Sequence, residues 1–82
     1  MSALRFHTTR HSASRASERN LSFEDLKNVV NYPDSKQKSG RGSHGGQLTI
    51  FRKSVDGRIL VAVAEIKNQD CWMVTGYYEN QA

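Results

Sequence analysis

Apolar residues follow two different rhythms along this chain. From Leu21 to Val30 they recur at helical spacing, with Leu26, Val29 and Val30 on the face of Phe23. From residue 47 onward they alternate or run together, as strands do. The pattern predicts helix over 8–32, loop over 34–46 and strands over 47–78. The helix beginning at Ser22 has the clearest start. Ser22 with Asp25 three residues on makes a capping box, and Leu21 with Leu26 makes a hydrophobic staple around it. Pro33 disfavours a helical Tyr32, so this helix ends near Asn31. A first helix, capped by Thr8 or Thr9, is weaker. Between Arg10 and Arg19 only Ala13 and Ala16 are apolar, and Asn20 suits a left-handed stop before the second helix.

The remaining segments read as loop and sheet. Residues 34–46 hold four glycines, three serines, three bases and no apolar side chain, so they are mobile or form an irregular edge strand. Leu48 and Ile50 alternate with Thr49 and Phe51 in a half-buried strand, and Asp56-Gly57 signals a tight turn. The run from Ile59 to Ile66 is apolar on both faces, which marks a central strand. Residues 67–70 turn again. In the last strand, strict alternation puts Cys71, Met73, Thr75 and Tyr77 on one face and Trp72, Val74, Gly76 and Tyr78 on the other. The expected architecture is a single α+β domain over 1–82, with two N-terminal helices followed by a three- or four-stranded antiparallel meander.

Composition narrows the function. With 82 residues the chain holds one domain and a small core. One cysteine, Cys71, permits no internal disulfide and fits a reducing compartment. No apolar run is long enough for a membrane span, and no signal peptide is visible. The net charge is +4, and it is lopsided. Residues 1–53 carry ten Lys/Arg against four acids, and residues 54–82 carry two against four. A basic half suits a protein that meets phosphates, although ordinary surface charge produces the same total.

Candidate chemistry concentrates in a few places. His11, Arg15 and Arg19 lie four apart twice, which stacks them on one helix face. Two arginines at that spacing repel, and Glu18 is the one acid near them, so the arrangement suits an anion. A solvated surface face is the plain alternative. Lys36, Lys38 and Arg41 make the glycine-rich segment able to wrap a polyanion. Thr75 and Tyr77 supply hydroxyls that could reach a phosphate, although both are also ordinary strand formers. His7 and His44 could join His11 as metal ligands, but no second cysteine is near and no carboxylate clusters with them in the sequence, so no metal and no cofactor is expected. The glycines at 40, 42, 45 and 46 lack the pattern of a phosphate-cradling loop before a helix. Cys71 has no basic neighbour to activate it and is expected to pack.

These segments together resemble a known group. The stretch from Thr8 to Ser22 is similar to the opening His-x-x-x-Arg-x-x-x-Arg-x-[Ile/Leu]-[Ser/Thr] of a family of short uncharacterised bacterial domains. These group with RelE/ParE/BrnT-like toxins and, more broadly, with the barnase–EndoU–colicin–RelE fold. Residues 56–63 resemble that family's central hairpin and residues 74–78 its closing Val-x-Thr-x-Tyr strand. The resemblance spans roughly 8–78 in the same order. It implies a small, metal-independent ribonuclease toxin of a toxin–antitoxin or toxin–immunity system, cytoplasmic or delivered into a target cell's cytoplasm. His11, Arg15, Arg19, Thr75 and Tyr77 would be the site residues. RNA would be the substrate, bound also by Lys36, Lys38 and Arg41, and an acidic antitoxin or immunity protein would be the partner. The rivals are a non-catalytic module that binds nucleic acid or protein in such a system, and a toxin acting on protein.

Overall fold

The computed structural model describes residues 4–8 and 21–79. The elements in chain order are β1 (Arg5–Thr8), α1 (Phe23–Asn31), β2 (Ser35–Arg41), β3 (Gln47–Val55), β4 (Arg58–Lys67) and β5 (Asp70–Glu79). The strands form one sheet in the order β1-β5-β4-β3-β2. β1 runs parallel to β5, and every other pairing is antiparallel.

Two N-terminal helices before a meander are therefore not what the described residues show. They form a five-stranded mixed sheet with one short helix between its first and second strands. The first described element is a strand, and its Phe6, opposite Cys71 in the register, sends an aromatic ring toward the core, where it meets Phe23 edge-on at 6.3 Å. Pairing the first strand with the last depends on residues more than 60 positions apart, which local periodicity cannot report. The helix expected from residue 8 to Asn20 falls outside the described residues, apart from Thr8, which belongs to β1.

The second expected helix forms as read. The Ser22 hydroxyl accepts the Asp25 N–H at 3.0 Å. Leu26, Val29 and Val30 are buried, and Leu21 joins them in the same cluster. The helix closes with Tyr32 N–H donating to the Asn28 carbonyl at 2.9 Å, just before Pro33. Its apolar face lies on Phe51, Leu60, Ala62, Ala64, Cys71 and Met73, all on one side of the sheet. Burying a side chain such as Leu26 there stabilises the fold by about 1.5–3 kcal/mol.

β4 is the central strand, with Leu60, Val61, Ala62 and Ala64 buried. The β3–β4 turn puts Asp56 at φ 51° and Gly57 at φ 79°, the conformation a two-residue hairpin turn needs. The loop expected over 34–46 is not what forms: residues 35–41 make the edge strand β2, exposed throughout, and only the residues after it turn. An edge strand needs backbone pairing on one side only, so polar residues suffice.

One irregularity changes which residues share a face. In the β4–β5 register Ala64 faces Met73 and Val63 faces Thr75, which leaves Val74 as an extra residue in β5. Strict alternation therefore fails. Cys71, Met73, Gly76 and Tyr78 lie toward α1, while Trp72, Thr75 and Tyr77 lie on the far side. Gly76 sits directly under Leu26, whose side-chain carbons would overlap a Cβ placed there. Gly76→Ala should therefore cost about 1–3 kcal/mol by overpacking. Urea unfolding measures it, and a loss no larger than that of a surface substitution would show that α1 can shift to make room.

Candidate functional site

Three strands converge on the far side of the sheet around one indole. Trp72 on β5 faces His7 on β1 and Glu65 on β4 in the register. The His7 imidazole stacks on the indole with ring centres 5.3 Å apart and planes 23° apart. A second imidazole, His44, stacks on it at 4.1 Å and 6°. His44 comes from the turn over residues 42–46 between β2 and β3, which folds onto β4.

What draws the turn down is Glu65. Its side chain is 2% exposed on the central strand, an expensive place for a carboxylate without partners. The turn supplies them. Glu65 Oε2 accepts the Gly46 N–H at 2.6 Å and the His44 N–H at 2.9 Å, and Oε1 meets His44 Nδ1 at 3.0 Å. Burial by itself would raise the Glu65 pKa and is the largest single effect. The His44 ring and the two backbone N–H groups together outweigh it and hold the pKa below the ordinary carboxylate value. Two glycines make the approach possible. A Cβ on Gly42 would run into the Glu65 carboxyl, and one on Gly46 would lie 2.7 Å from the Ile66 carbonyl oxygen.

Because Glu65 is ionised, it only accepts, so His44 Nδ1 carries the proton in this bond. Nε2 has no partner among the described residues. The His44 side chain is 42% exposed. The other imidazole is bound in a similar way. His7 Nε2 lies 3.0 Å from Asp70 Oδ1, and Arg5 Nε lies 3.2 Å from the same oxygen. Asp70 is held below its usual pKa, first by the bond from His7 and further by the charge of Arg5.

The sequence-predicted residues divide among several places. His11, Arg15 and Arg19 lie outside the described residues. Thr75 and Tyr77 stand on the far side, the side of Trp72, Glu65 and His44. Lys36 and Lys38 stand on the α1 side, where with Gln47, Thr49, Phe51 and Ile66 they line a groove of about 410 Å³. Arg41 joins Gly45, Gly46, Gln47, Ile66 and Lys67 around a neighbouring cleft of about 240 Å³. The expected lack of carboxylates near the histidines is overturned, since His44 meets Glu65 and His7 meets Asp70. Two signals pointed there: an acid inside the run from Ile59 to Ile66, and glycines on both sides of His44. Among the described residues no group of three or more His, Cys, Asp or Glu is placed to hold a metal ion. Cys71 is fully buried, and its thiol is pushed up to about 12.

The lowered Glu65 pKa fixes a pH dependence. A carboxyl more acidic in the folded state than in the unfolded chain stabilises the fold above the unfolded pKa, near 4.5. That contribution is lost as pH falls through the lower folded value. Urea midpoints measured downward from pH 6 should therefore fall below about pH 4.5. In Glu65→Gln they should start lower and fall less. An unchanged acid slope in that variant would remove Glu65 as its source.

Comparison with known proteins adds a family. No curated protein and no solved structure matches the chain, and no helix among the described residues is long and apolar enough to cross a membrane. The family model described as Domain of unknown function (DUF4258) matches residues 8–78, from the end of β1 to Tyr78 near the end of β5. The chain thus belongs to the DUF4258 family of domains of unknown function.

Proposed function

We propose that this chain is a metal-independent endoribonuclease toxin of a toxin–antitoxin or toxin–immunity system. The observation that carries the reading is the cationic groove along β2. Lys36 and Lys38 border a floor of Thr49, Phe51 and Ile66, and the adjoining cleft adds Arg41 and Lys67. No carboxylate belongs to either lining among the described residues. Ammonium and guanidinium groups over an apolar floor suit a chain of phosphates with attached bases. The resemblance of His11, Arg15, Arg19, Thr75 and Tyr77 to the helix and closing strand of RelE-like toxins supports cleavage in addition to binding.

Cleavage without metal needs a base for the ribose 2′-OH, an acid for the leaving 5′-oxygen and cations for the phosphorane. His11 serves as one proton-transfer group in this reading. Arg15 and Arg19 hold the phosphate, being suited to two-point contacts. Thr75 and Tyr77 orient it. An acidic antitoxin or immunity protein would cover the β2 groove. A non-catalytic binding module remains the second reading, and one observation favours it: Lys36 and Lys38 lie on the opposite face of the sheet from Thr75 and Tyr77.

Two experiments separate these readings. Purified chain should cleave total RNA with EDTA present, and expression of His11→Ala in bacteria should relieve growth arrest at equal protein level. Cleavage restored only by a divalent ion, or undiminished toxicity of that variant, would overturn the assignment. Single-stranded RNA affinity should fall with salt at a log–log slope of about −2 to −3.5, corresponding to about three to five phosphate contacts. Replacing Lys36, Lys38 and Arg41 with Ala should flatten that slope and leave single-turnover cleavage at saturation nearly unchanged. Replacing Arg15 or Arg19 should slow cleavage even at saturation. If every variant changes affinity alone, the binding module is the better account.

A further inference from the structure

RNA cleavage by this route needs two proton transfers, and the set His11, Arg15, Arg19, Thr75 and Tyr77 contains one imidazole. The geometry points to His44 as the second proton-transfer group, acting as the base on the ribose 2′-OH, with Glu65 and Trp72 as its positioning residues. This inference rests on the ribonuclease reading and names a catalytic residue for it.

Two independent restraints fix the ring. The bond to Glu65 Oε1 at 3.0 Å sets its rotation and its tautomer. The stack on Trp72, with planes 6° apart, sets its plane. Trp72 is in turn flanked on its β1 side by His7, which Asp70 holds. The result is a fixed imidazole whose Nε2 lies on the part of the ring left without a partner among the described residues. A base oriented by a carboxylate at its other nitrogen is the arrangement that proton abstraction requires.

Anchoring the turn would not need so much. The Gly46 and His44 backbone N–H groups already tie it to Glu65 Oε2. Lys67 Nζ donates to the His44 carbonyl at 3.2 Å as well. His44 is also on the right side of the sheet. In the β4–β5 register Trp72 faces Glu65 and Thr75 faces Val63, two residues along the same face of β4, so the ring stands on the side that carries Thr75.

The step balances without a co-reactant. His44 Nε2 takes the 2′-OH proton as the 2′-oxygen bonds to phosphorus. The bond from phosphorus to the 5′-oxygen breaks, and that oxygen takes a proton from the imidazolium of His11. The products are a 2′,3′-cyclic phosphate and a free 5′-hydroxyl. The Glu65 carboxylate stabilises the imidazolium formed on His44.

The test uses His44→Gln, whose amide can still donate to Glu65, alongside His44→Ala. The probe is a fluorescent single-stranded RNA oligomer, followed in single-turnover reactions from pH 4.5 to 9. The expected result is near wild-type RNA affinity and circular dichroism, a rate at saturation reduced about 10²–10⁴-fold, and loss of the acidic limb of the pH–rate profile. Glu65→Gln should move that limb while retaining measurable cleavage. Imidazole added to His44→Ala should recover part of the rate, which a purely structural histidine would not allow. A rate within a few-fold of wild type, or an unchanged acidic limb in His44→Gln, would overturn the inference while the ribonuclease reading stands. Absence of RNA cleavage by the wild type would overturn both.

Discussion

A carboxylate on the central strand of so small a sheet has to find donors for its oxygens within the protein, and Glu65 finds them in the turn over residues 42–46. Much else follows from that requirement. The turn must come close, so Gly42 and Gly46 carry no Cβ where one would strike the carboxyl or the neighbouring strand. Bringing the turn close carries His44 onto Trp72. It also sets where β2 begins to pair with β3, which places Lys36, Lys38 and Arg41 along the groove. A buried carboxylate held by such donors is weak evidence for stability. Here it fixes the position of one loop and the orientation of one imidazole.

The sheet separates two kinds of surface. On one side α1 covers an apolar layer made by β3, β4 and β5, and the part beyond the helix opens into the lysine-lined groove. On the other side polar and aromatic groups gather around Trp72: two histidines, each against a carboxylate. The extra residue at Val74 keeps the two sides consistent. Without it Thr75 would point toward α1 and Gly76 away, and Leu26 would have no glycine to pack against. A bulge thus serves the core and the candidate site together.

Much of the framework was legible residue by residue. Ser22, Asp25, Leu21 and Leu26 announced α1, and Pro33 its end, because caps and staples are local. Asp56-Gly57 announced the β3–β4 hairpin, and the apolar run from Ile59 announced the central strand. The site was less legible. Glu65 read as one polar residue in that run, and His44 as one histidine in a glycine-rich segment, because nothing local joins positions 21 apart.

The sequence by itself determined the helix over Phe23–Asn31, the order of the last three strands, the tight turn at Asp56-Gly57 and the basic character of β2. Each of these rests on contacts or conformational preferences within a few residues. The tertiary structure decided that Arg5–Thr8 forms a strand paired parallel to β5, and that residues 35–41 close the opposite edge. It also decided which side of the sheet receives Thr75 and Tyr77, and that His44 and His7 meet carboxylates across one indole. Those outcomes depend on pairings between distant residues, where register, one extra residue in β5 and the need to satisfy a buried charge select the arrangement.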